Sequence, residues 1–179
     1  MFAYLGLGTN LGDRISHLRQ TITLLSTTIG QIEAESNVYE SAPMYITQQP
    51  PFLNMVVRIE TPLVPLELLH SIKAIEVQMG RNTEPDSQRY GPRPIDIDIE
   101  LLTNAAYPQQ ASDWLIFDAP DLHIPHLLLP ERAFVLLPLQ DVLPATTTFI
   151  HPRTQESLAT MLANVARQEC QNIGTLGDE

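Results

Sequence analysis

Two aspartates that alternate with isoleucines are the residues of this chain best suited to chemistry. Residues 89–101 read RYGPRPIDIDIEL, a pattern typical of a β-strand that carries Asp96, Asp98 and Glu100 on one face and isoleucines on the other. Same-face neighbours lie about 6.6–6.8 Å apart along a strand. Adjacent carboxylates can each bind a hard cation such as Mg²⁺, which completes its coordination with water and phosphate oxygens.

An arginine cluster precedes this strand. Arg81, Arg89 and Arg93 are three of only nine arginines, in a chain whose formal net charge is −11. The planar guanidinium group makes paired hydrogen bonds to phosphoryl oxygens, a geometry that lysine does not match. Paired acids after an arginine-containing loop therefore indicate a site for a Mg²⁺-bound nucleoside triphosphate. From these residues alone, a strand with one solvated face remains the alternative.

Composition excludes several other classes of protein. A net charge of −11 argues against a nucleic-acid-binding surface, and the single Cys170 rules out an internal disulfide or a cysteine-based metal cluster. No apolar run approaches 18 residues, and the N-terminus lacks the layout of a signal peptide. We expect one domain over residues 1–179, cytoplasmic and monomeric, with neither membrane nor nucleic acid as a partner.

The glycines near the N-terminus do not form a standard nucleotide motif. Gly6, Gly8 and Gly12 spell G-x-G-x-x-x-G, with the third glycine one place too late for the dinucleotide-binding fingerprint. The P-loop pattern G-x-x-x-x-G-K-[ST] is absent from the sequence. A phosphate site in this chain therefore depends on the arginines.

The spacing of apolar residues predicts the elements that position these groups. In order, these are an N-terminal strand, a helix from Asp13 to Gly30, strands at 31–41 and 52–61, a helix from Pro65 to Gly80, and the aspartate strand at 95–103. This β-α-β-β-α-β order predicts an α+β protein with a ferredoxin-like antiparallel sheet and helices on one face.

Two loops and the C-terminal third complete the prediction. The proline-rich connection 42–51 is long for a hairpin and is a candidate functional loop, with a tolerated surface loop as the alternative. Residues 104–125 are irregular, although WLIF within them is a possible strand. Additional C-terminal helices are expected from near Pro130 and over 155–168, followed by a frayed tail at 170–179.

Six segments resemble the family of 6-hydroxymethyl-7,8-dihydropterin pyrophosphokinases. They are GLGTNLGD, VYESAP, QPPFLNMVV, IEVQMGR, RYGPRPIDIDI and IPHLLLPERAFVLLPL, and together they cover about residues 2–145. The core pattern R-x-G-P-R-x-x-D-[ILV]-D is the most specific of them. The resemblance implies a ferredoxin-like fold and transfer of pyrophosphate from ATP to the hydroxymethyl group of a reduced pterin, which leaves AMP, in folate biosynthesis.

The resemblance also implies roles for individual residues. Asp96 and Asp98 would bind two Mg²⁺ ions, which accompany the co-substrate ATP. Arg89 would lie in a mobile loop that closes over the phosphates. The implied catalytic residues are Arg81, Arg89, Arg93, Asp96 and Asp98. The implied ATP-binding residues are Glu76, Arg81, Arg89, Arg93, His126 and Arg132.

The pterin would occupy a pocket of its own. A flat heteroaromatic ring is best held between two aromatic faces, with hydrogen bonds at its edge that set its orientation. Phe52 and Phe134 match the positions that would sandwich the ring, and Asn54 matches the side chain that reads its edge; from the residues alone, both phenylalanines would be core residues. Ser41, Ala42 and Met44 would line the same pocket.

The chain departs from the family pattern at several positions. Residues 82–84 lack the second basic residue that often follows the equivalent of Arg81, Tyr90 replaces a common tryptophan, and Glu100 occupies a place that is usually apolar. Segment 104–122 is longer than expected. These departures leave two alternatives, a non-catalytic ligand-binding module and a metal-dependent phosphohydrolase, although no water-activating base for the latter is identifiable.

Overall fold

An antiparallel sheet flanked by helices forms the part of the chain that a computed structural model describes, residues 1–44, 48–81 and 91–177. The strands are β1 (Phe2–Thr9), β2 (Gln31–Glu35), β3 (Tyr39–Ser41), β4 (Phe52–Glu60), β5 (Asp96–Thr103), β6 (Phe117–Ala119), β7 (Leu122–Ile124) and β8 (Cys170–Asn172). The helices are α1 (Arg14–Thr28), α2 (Pro65–Gln78), α3 (Ala133–Val142) and α4 (Leu158–Val165). The predicted mixed architecture with an antiparallel sheet is confirmed.

The order of strands in the main sheet is β5-β1-β4-β3-β8. Strand β2 pairs with the same edge of β4 as β3 does: β3 pairs with the first residues of β4 and β2 with the last ones. The sequence predicted one strand over 31–41, whereas the chain forms two. The break at 36–38 has a local cause, since the Ser36 hydroxyl accepts from Val56 N at 2.9 Å and Val38 N donates to Gly174 O at 2.8 Å.

Turn residues fix the two helices that follow β1 and β4. Asp13 caps α1 by accepting a hydrogen bond from Ser16 N at 3.0 Å. Gly30 follows the helix at a point where a Cβ would lie 2.0 Å from Glu60 O, so no other residue fits between α1 and the end of β4. Pro65 opens α2 at a position where the missing N–H costs no helical hydrogen bond.

Hydrophobic clusters cover both faces of the sheet. Alternate residues of β1 and β4, such as Leu5 and Val57, pack with α1 and α2, whereas Tyr4 and Val56 pack with α3 and α4. The prediction that helices cover only one face was therefore wrong for the whole chain. The C-terminal helices were expected, but their position over the second face was not deducible from apolar spacing.

A β-bulge lies in β5 where that strand pairs with β1. Tyr4 is opposite Leu101 and Leu5 is opposite Ile99, so Glu100 is the extra residue. The bulge places the Glu100 side chain over Gly6, on the face that also carries Asp98. The regular alternation of side chains between the two faces of β5 thus ends at Glu100. The Glu100 side chain nevertheless lies on the predicted face, with Asp98.

The C-terminal third differs most from the prediction. The tail is not frayed at 170–177, because β8 pairs with β3 and Leu176 is buried against the α1–α2 core. WLIF does not form one strand: Trp114 makes an isolated bridge to Thr103, and the β6–β7 hairpin starts later. The helix expected near Pro130 begins after a 3₁₀ turn, Leu129–Glu131, and the one expected at 155–168 is shorter.

No helix among the described residues combines the length and the apolar character that a membrane span requires.

Candidate active site

A cavity of about 690 Å³ opens over the sheet face that carries the two β1 glycines. Gly6 and Gly8 form part of its floor, because they bring backbone and no side chain to that face. The predicted phosphate-side and metal residues that line it are Arg81, Arg93, Asp96, Asp98, His126 and Arg132. The predicted pterin residues that line it are Ser41, Ala42, Met44, Phe52, Asn54 and Phe134. Residues far apart in the sequence thus converge on one cavity.

The aspartates stand side by side at one wall. Asp96 is opposite Gly8 and Asp98 is opposite Gly6 in the ladder, so both carboxylates border the space that the glycines leave. The side chain of Asp98 is 34% exposed and that of Asp96 is 19% exposed. Both carboxylates are therefore accessible from the cavity.

Three arginines surround this pair. Arg81 Nη1 donates to Asp96 Oδ1, and Arg93 Nη2 lies 2.8 Å from Asp96 Oδ2. Arg132 Nη1 lies 3.4 Å from Asp98 Oδ2. In the parts of the chain that the structure describes, Arg93 Nε and Arg132 Nε are buried without a hydrogen-bond partner. The cluster therefore keeps donor capacity beyond its internal ion pairs.

Glu76 lies beneath this cluster rather than in the cavity wall. It is 1% exposed, and its Oε1 accepts from Ile97 N at 2.8 Å and from Arg81. Lys73 Nζ donates to Oε2 at 2.9 Å. Burial raises the pKa of Glu76, against the opposing effect of Lys73 and Arg81. Its contacts connect α2 to the start of β5 and hold Arg81 beside Asp96.

Asn10 is a residue of this site that the sequence reasoning missed. Its Oδ1 accepts from Arg93 N at 2.9 Å, and its Nδ2 donates to Gln49 Oε1 at 3.1 Å and to Pro50 O at 3.2 Å. The side chain is 1% exposed. Asn10 thus connects the segment before β5 to the segment before β4. Its place directly after the glycine strand, within GLGTNLGD, was the available signal.

His126 borders both the aspartates and a neighbouring cavity. Its backbone N donates to Glu100 O at 3.0 Å, and its Nδ1 accepts from Leu128 N at 3.2 Å. Burial lowers the pKa of His126, against the carboxylates nearby. A neutral imidazole whose Nδ1 accepts carries its proton on Nε2, so this ring can donate to an oxygen of a ligand.

A second group of residues in the large cavity is aromatic and neutral. Asn54 Nδ2 donates to Ser41 Oγ at 2.9 Å, while a Cβ built on Gly8 would lie 3.4 Å from Asn54 Oδ1. The acceptor oxygen of the amide therefore lies over the floor of the cavity. The rings of Phe52 and Phe134 lie 5.7 Å and 5.6 Å from the guanidinium carbons of Arg93 and Arg132 respectively. Both rings are half-buried and line the cavity, and Phe134 also packs against the hydrophobic cluster of α3 and α4.

The loop that follows Arg81 lies outside the described residues. This applies to Arg89, to Tyr90 and to the altered positions 82–88. The role expected of Arg89 and the closure of this loop over a ligand stay predictions.

A second cavity, of about 260 Å³, adjoins the first. Lys73, Asp98, His126 and Leu128 line both cavities. Asp121 and His123, which no sequence motif singled out, line only the second one. A long ligand can therefore extend from the aspartate pair into this neighbouring space.

The fold and the cavity, with an aspartate pair beside arginines on one side and aromatic rings on the other, define a phosphoryl-transfer class of site. The model of the 7,8-dihydro-6-hydroxymethylpterin-pyrophosphokinase (HPPK) family matches residues 4–144. The chain belongs to this family.

Relatives of known name agree with this assignment. The chain is 40% identical over 149 residues to a 2-amino-4-hydroxy-6-hydroxymethyldihydropteridine pyrophosphokinase of Porphyromonas gingivalis, a match that covers 83% of this chain and 92% of the relative. It is 41% identical over 139 residues to a mitochondrial folate synthesis bifunctional protein of Pisum sativum, covering 78% of this chain and 24% of that protein.

Solved structures share the fold. A crystal structure of an HPPK-DHPS in complex with substrates superposes with a TM-score of 0.63 at 17% identity, covering 90% of this chain and 42% of that one. A Plasmodium falciparum HPPK-DHPS gives a TM-score of 0.62 at 18% identity, with coverage of 96% and 47%. The chain spans less than half the length of these larger proteins.

Proposed function

We propose that this chain transfers the pyrophosphoryl group of ATP to the hydroxymethyl group of 6-hydroxymethyl-7,8-dihydropterin in folate synthesis. The products are the pterin diphosphate and AMP. The observation that carries the proposal is a single cavity that brings Asp96, Asp98 and three arginines together with Asn54 and two phenylalanines. One side suits a polyphosphate and the other a flat heterocycle.

Asp96 and Asp98 fit the requirements of Mg²⁺. No group of three or more His, Cys, Asp or Glu side chains arranged to hold a metal occurs in residues 1–44, 48–81 and 91–177. Two adjacent carboxylates with an open side suit Mg²⁺, which takes the remaining ligands from water and from substrate phosphates. When bound, Mg²⁺ neutralises charge on the transferring phosphoryl groups and orients them. We infer two such ions, bound together with ATP.

The arginines are the protein's own ligands for the triphosphate. Arg81, Arg93 and Arg132 are paired with the two aspartates in the described structure. Phosphate oxygens, bound beside these carboxylates, would attract the guanidinium groups through paired charge-assisted hydrogen bonds. His126 would donate from Nε2 to the same phosphates. The nucleoside would extend into the cavity of about 260 Å³, which shares Asp98 and His126 with the larger one.

The pterin would lie over the floor formed by Gly6 and Gly8. Phe52 and Phe134 supply aromatic surfaces, and Asn54 Oδ1 supplies an acceptor for an N–H group at the edge of the ring. This orientation directs the hydroxymethyl group toward the aspartate wall. The hydroxyl oxygen then forms a bond to the β-phosphorus, and the bond from that phosphorus to the oxygen bridging to the α-phosphorus breaks. AMP leaves with that oxygen, and the hydroxyl proton is released.

We also infer that the sheet contains a ferredoxin-like unit. The order β5-β1-β4, with β2 and β3 together on the far edge of β4, corresponds to the 4-1-3-2 order of a split βαβ arrangement in which one strand is divided in two. The connecting helices α1 and α2 pack on the same face. The cavity lies on the other face, at Gly6 and Gly8 of β1.

Product analysis tests the proposed function. The purified chain is incubated with Mg²⁺ and ATP, with and without 6-hydroxymethyl-7,8-dihydropterin, and the nucleotides are separated. We expect AMP only when the pterin is present. Release of inorganic phosphate at the same rate without pterin would identify a phosphohydrolase, and the absence of any turnover would identify a non-catalytic binding module.

A further inference from the structure

Glu100 is a buried carboxyl group in the large cavity to which the proposed function assigns no task. The residue is 1% exposed, and its Oε2 has no hydrogen-bond partner among residues 1–44, 48–81 and 91–177. A buried polar atom without a partner destabilises the fold by about 1–3 kcal/mol. Glu100 nevertheless lines the cavity, together with Gly6 and Asn54. A ligand in the cavity is therefore the available partner.

The position of Glu100 follows from the bulge in β5. Because the extra residue shifts the register, the carboxyl group extends across Gly6, where a Cβ would lie 2.9 Å from Oε1. The Asn54 amide oxygen lies similarly over Gly8. Gly6 and Gly8 are two positions apart on one strand face, about 6.6–6.8 Å. The floor of the cavity thus presents two side-chain oxygens, one over each glycine.

The charges around Glu100 indicate which kind of ligand group it faces. Asp98 and Asp96 are its acidic neighbours, and Arg132 is the basic one. Arg132 makes its ion pair with Asp98 and not with Glu100. Glu100 therefore lies where the aspartates meet the glycine floor, and its position over Gly6 puts its carboxyl group beside the space proposed for the heterocycle.

We propose that Glu100 hydrogen-bonds to the edge of the pterin ring over Gly6 and acts with Asn54 as a second specificity-determining residue for this substrate. The inference rests on the proposed function and extends it. The pterin ring system carries an amino group and ring N–H groups beside acceptor nitrogens and a carbonyl, and a carboxyl group can pair with such an edge. An apolar side chain at the same place would fill the space but could not form hydrogen bonds with the edge of the pterin ring.

Two substitutions separate hydrogen bonding from packing. Glu100→Gln keeps the shape and a hydrogen-bond acceptor at this place, whereas Glu100→Leu keeps most of the volume and removes every hydrogen-bonding atom of the side chain. Glu35→Leu, at an exposed position of β2 outside the cavity, is the matched control. Thermal unfolding establishes that each variant is folded. We expect Glu100→Leu to be at least as stable as wild type, since it removes a buried unpaired group.

The decisive readout is binding rather than turnover. Calorimetry measures the affinity for 6-hydroxymethyl-7,8-dihydropterin and, separately, for a non-hydrolysable ATP analogue with Mg²⁺. We expect Glu100→Leu to lose about tenfold in pterin affinity, the scale of one lost hydrogen bond to a polar group of the ligand. Glu100→Gln should lose less, and the affinity of both variants for the ATP analogue should stay within twofold of wild type.

Two results would overturn the inference. Pterin affinity within twofold of wild type in Glu100→Leu would show that the carboxyl group does not contact the substrate. Equal losses for pterin and the ATP analogue would show that Glu100 acts by positioning Arg132 or the aspartates. Either result leaves the proposed function standing if the wild-type chain forms AMP only with pterin, so the two failures are distinguishable.

Discussion

The two faces of strand β1 carry opposite kinds of residue, although they belong to the same eight positions. Toward α1 and α2 the strand presents Leu5 and Leu7, which are buried in a continuous apolar core. Toward the other face it presents Gly6 and Gly8, where the cavity lies. The first face therefore stabilises the fold, while the second packs against the α3–α4 cluster at Tyr4 and leaves room for ligands at Gly6 and Gly8. The alternation of a strand is sufficient to separate these two tasks.

The charged residues follow the same division. Ile97 and Ile99 of β5 belong to the closed core, while Asp96 and Asp98 border the cavity. The like charges on the open face are tolerated because three arginines lie against them. Substitutions at the cavity-lining positions should therefore affect binding and transfer, whereas those in the closed core should affect stability.

The largest effect is expected for Asp98→Ala. Transfer should fall by several orders of magnitude because a Mg²⁺ ligand is lost, while stability should change little or rise as like-charge repulsion decreases. Steady-state AMP formation and thermal unfolding measure the two effects. Glu33→Ala, at an exposed position of β2, is the control. A folded Asp98→Ala protein with more than a tenth of the wild-type rate would refute the metal assignment.

On the closed face, Leu5→Ala should have the reverse profile. Leu5 is fully buried, so the substitution should lower the free energy of unfolding by about 2–5 kcal/mol through lost contacts and a residual cavity. Below the unfolding transition, kcat should stay within about twofold of wild type. Denaturant titration and kinetics at low temperature check both statements. A large loss of kcat in the folded protein would mean that the two faces are not independent.

Gly8→Val tests whether the open floor is needed for substrate. A Cβ at this position meets only side-chain atoms, Asn54 Oδ1 at 3.4 Å and Phe52 Cδ1 at 3.9 Å, so we expect the fold to accept the change. Valine also favours a strand over glycine. We expect stability to be unchanged or higher, and pterin affinity to fall more than tenfold because the side chain occupies the ring's place. Unimpaired pterin binding by calorimetry would locate the substrate elsewhere.

The smallest effect is expected from Phe134→Ala. The loss of one stacking surface should weaken pterin binding by about 1–3 kcal/mol, by analogy with stacking of bases on aromatic side chains. Affinity for ATP should be nearly unchanged. Calorimetry with each ligand separately provides the test. Equal losses for both ligands would show that Phe134 serves the core of the second face rather than the pterin.

Much of the site was predictable because its residues occur in short contiguous motifs. Asp96 and Asp98 follow from strand alternation, and Arg81 and Arg93 from their clustering beside that strand. The motif segments also indicated Phe52 and Phe134. Hence the charged and aromatic residues that line the cavity were identifiable from the amino-acid sequence, while their binding roles stay predictions.

Other features depend on tertiary contacts that leave little trace in the sequence. The pairing of β8 with β3 involves the short polar segment Cys170–Asn172, which has no apolar alternation to reveal it. The burial of Glu100 depends on a bulge, and a bulge is a property of two paired strands rather than of one. Asn10 matters because its side chain accepts a hydrogen bond from Arg93 N and donates one to Pro50 O, which connects two loops. The pattern of residue types along one segment does not reveal which distant segment will pair or hydrogen-bond with it.

The most direct test of the central claim is the fate of ATP in the presence of two pterins that differ by one hydroxyl group. With Mg²⁺, ATP and 6-hydroxymethyl-7,8-dihydropterin, we predict AMP and pterin diphosphate in equal amounts. With the 6-methyl analogue, which fits the same cavity but lacks the accepting oxygen, no AMP should form. AMP formed at the same rate with both pterins, or ADP as the nucleotide product, would contradict pyrophosphoryl transfer at this site.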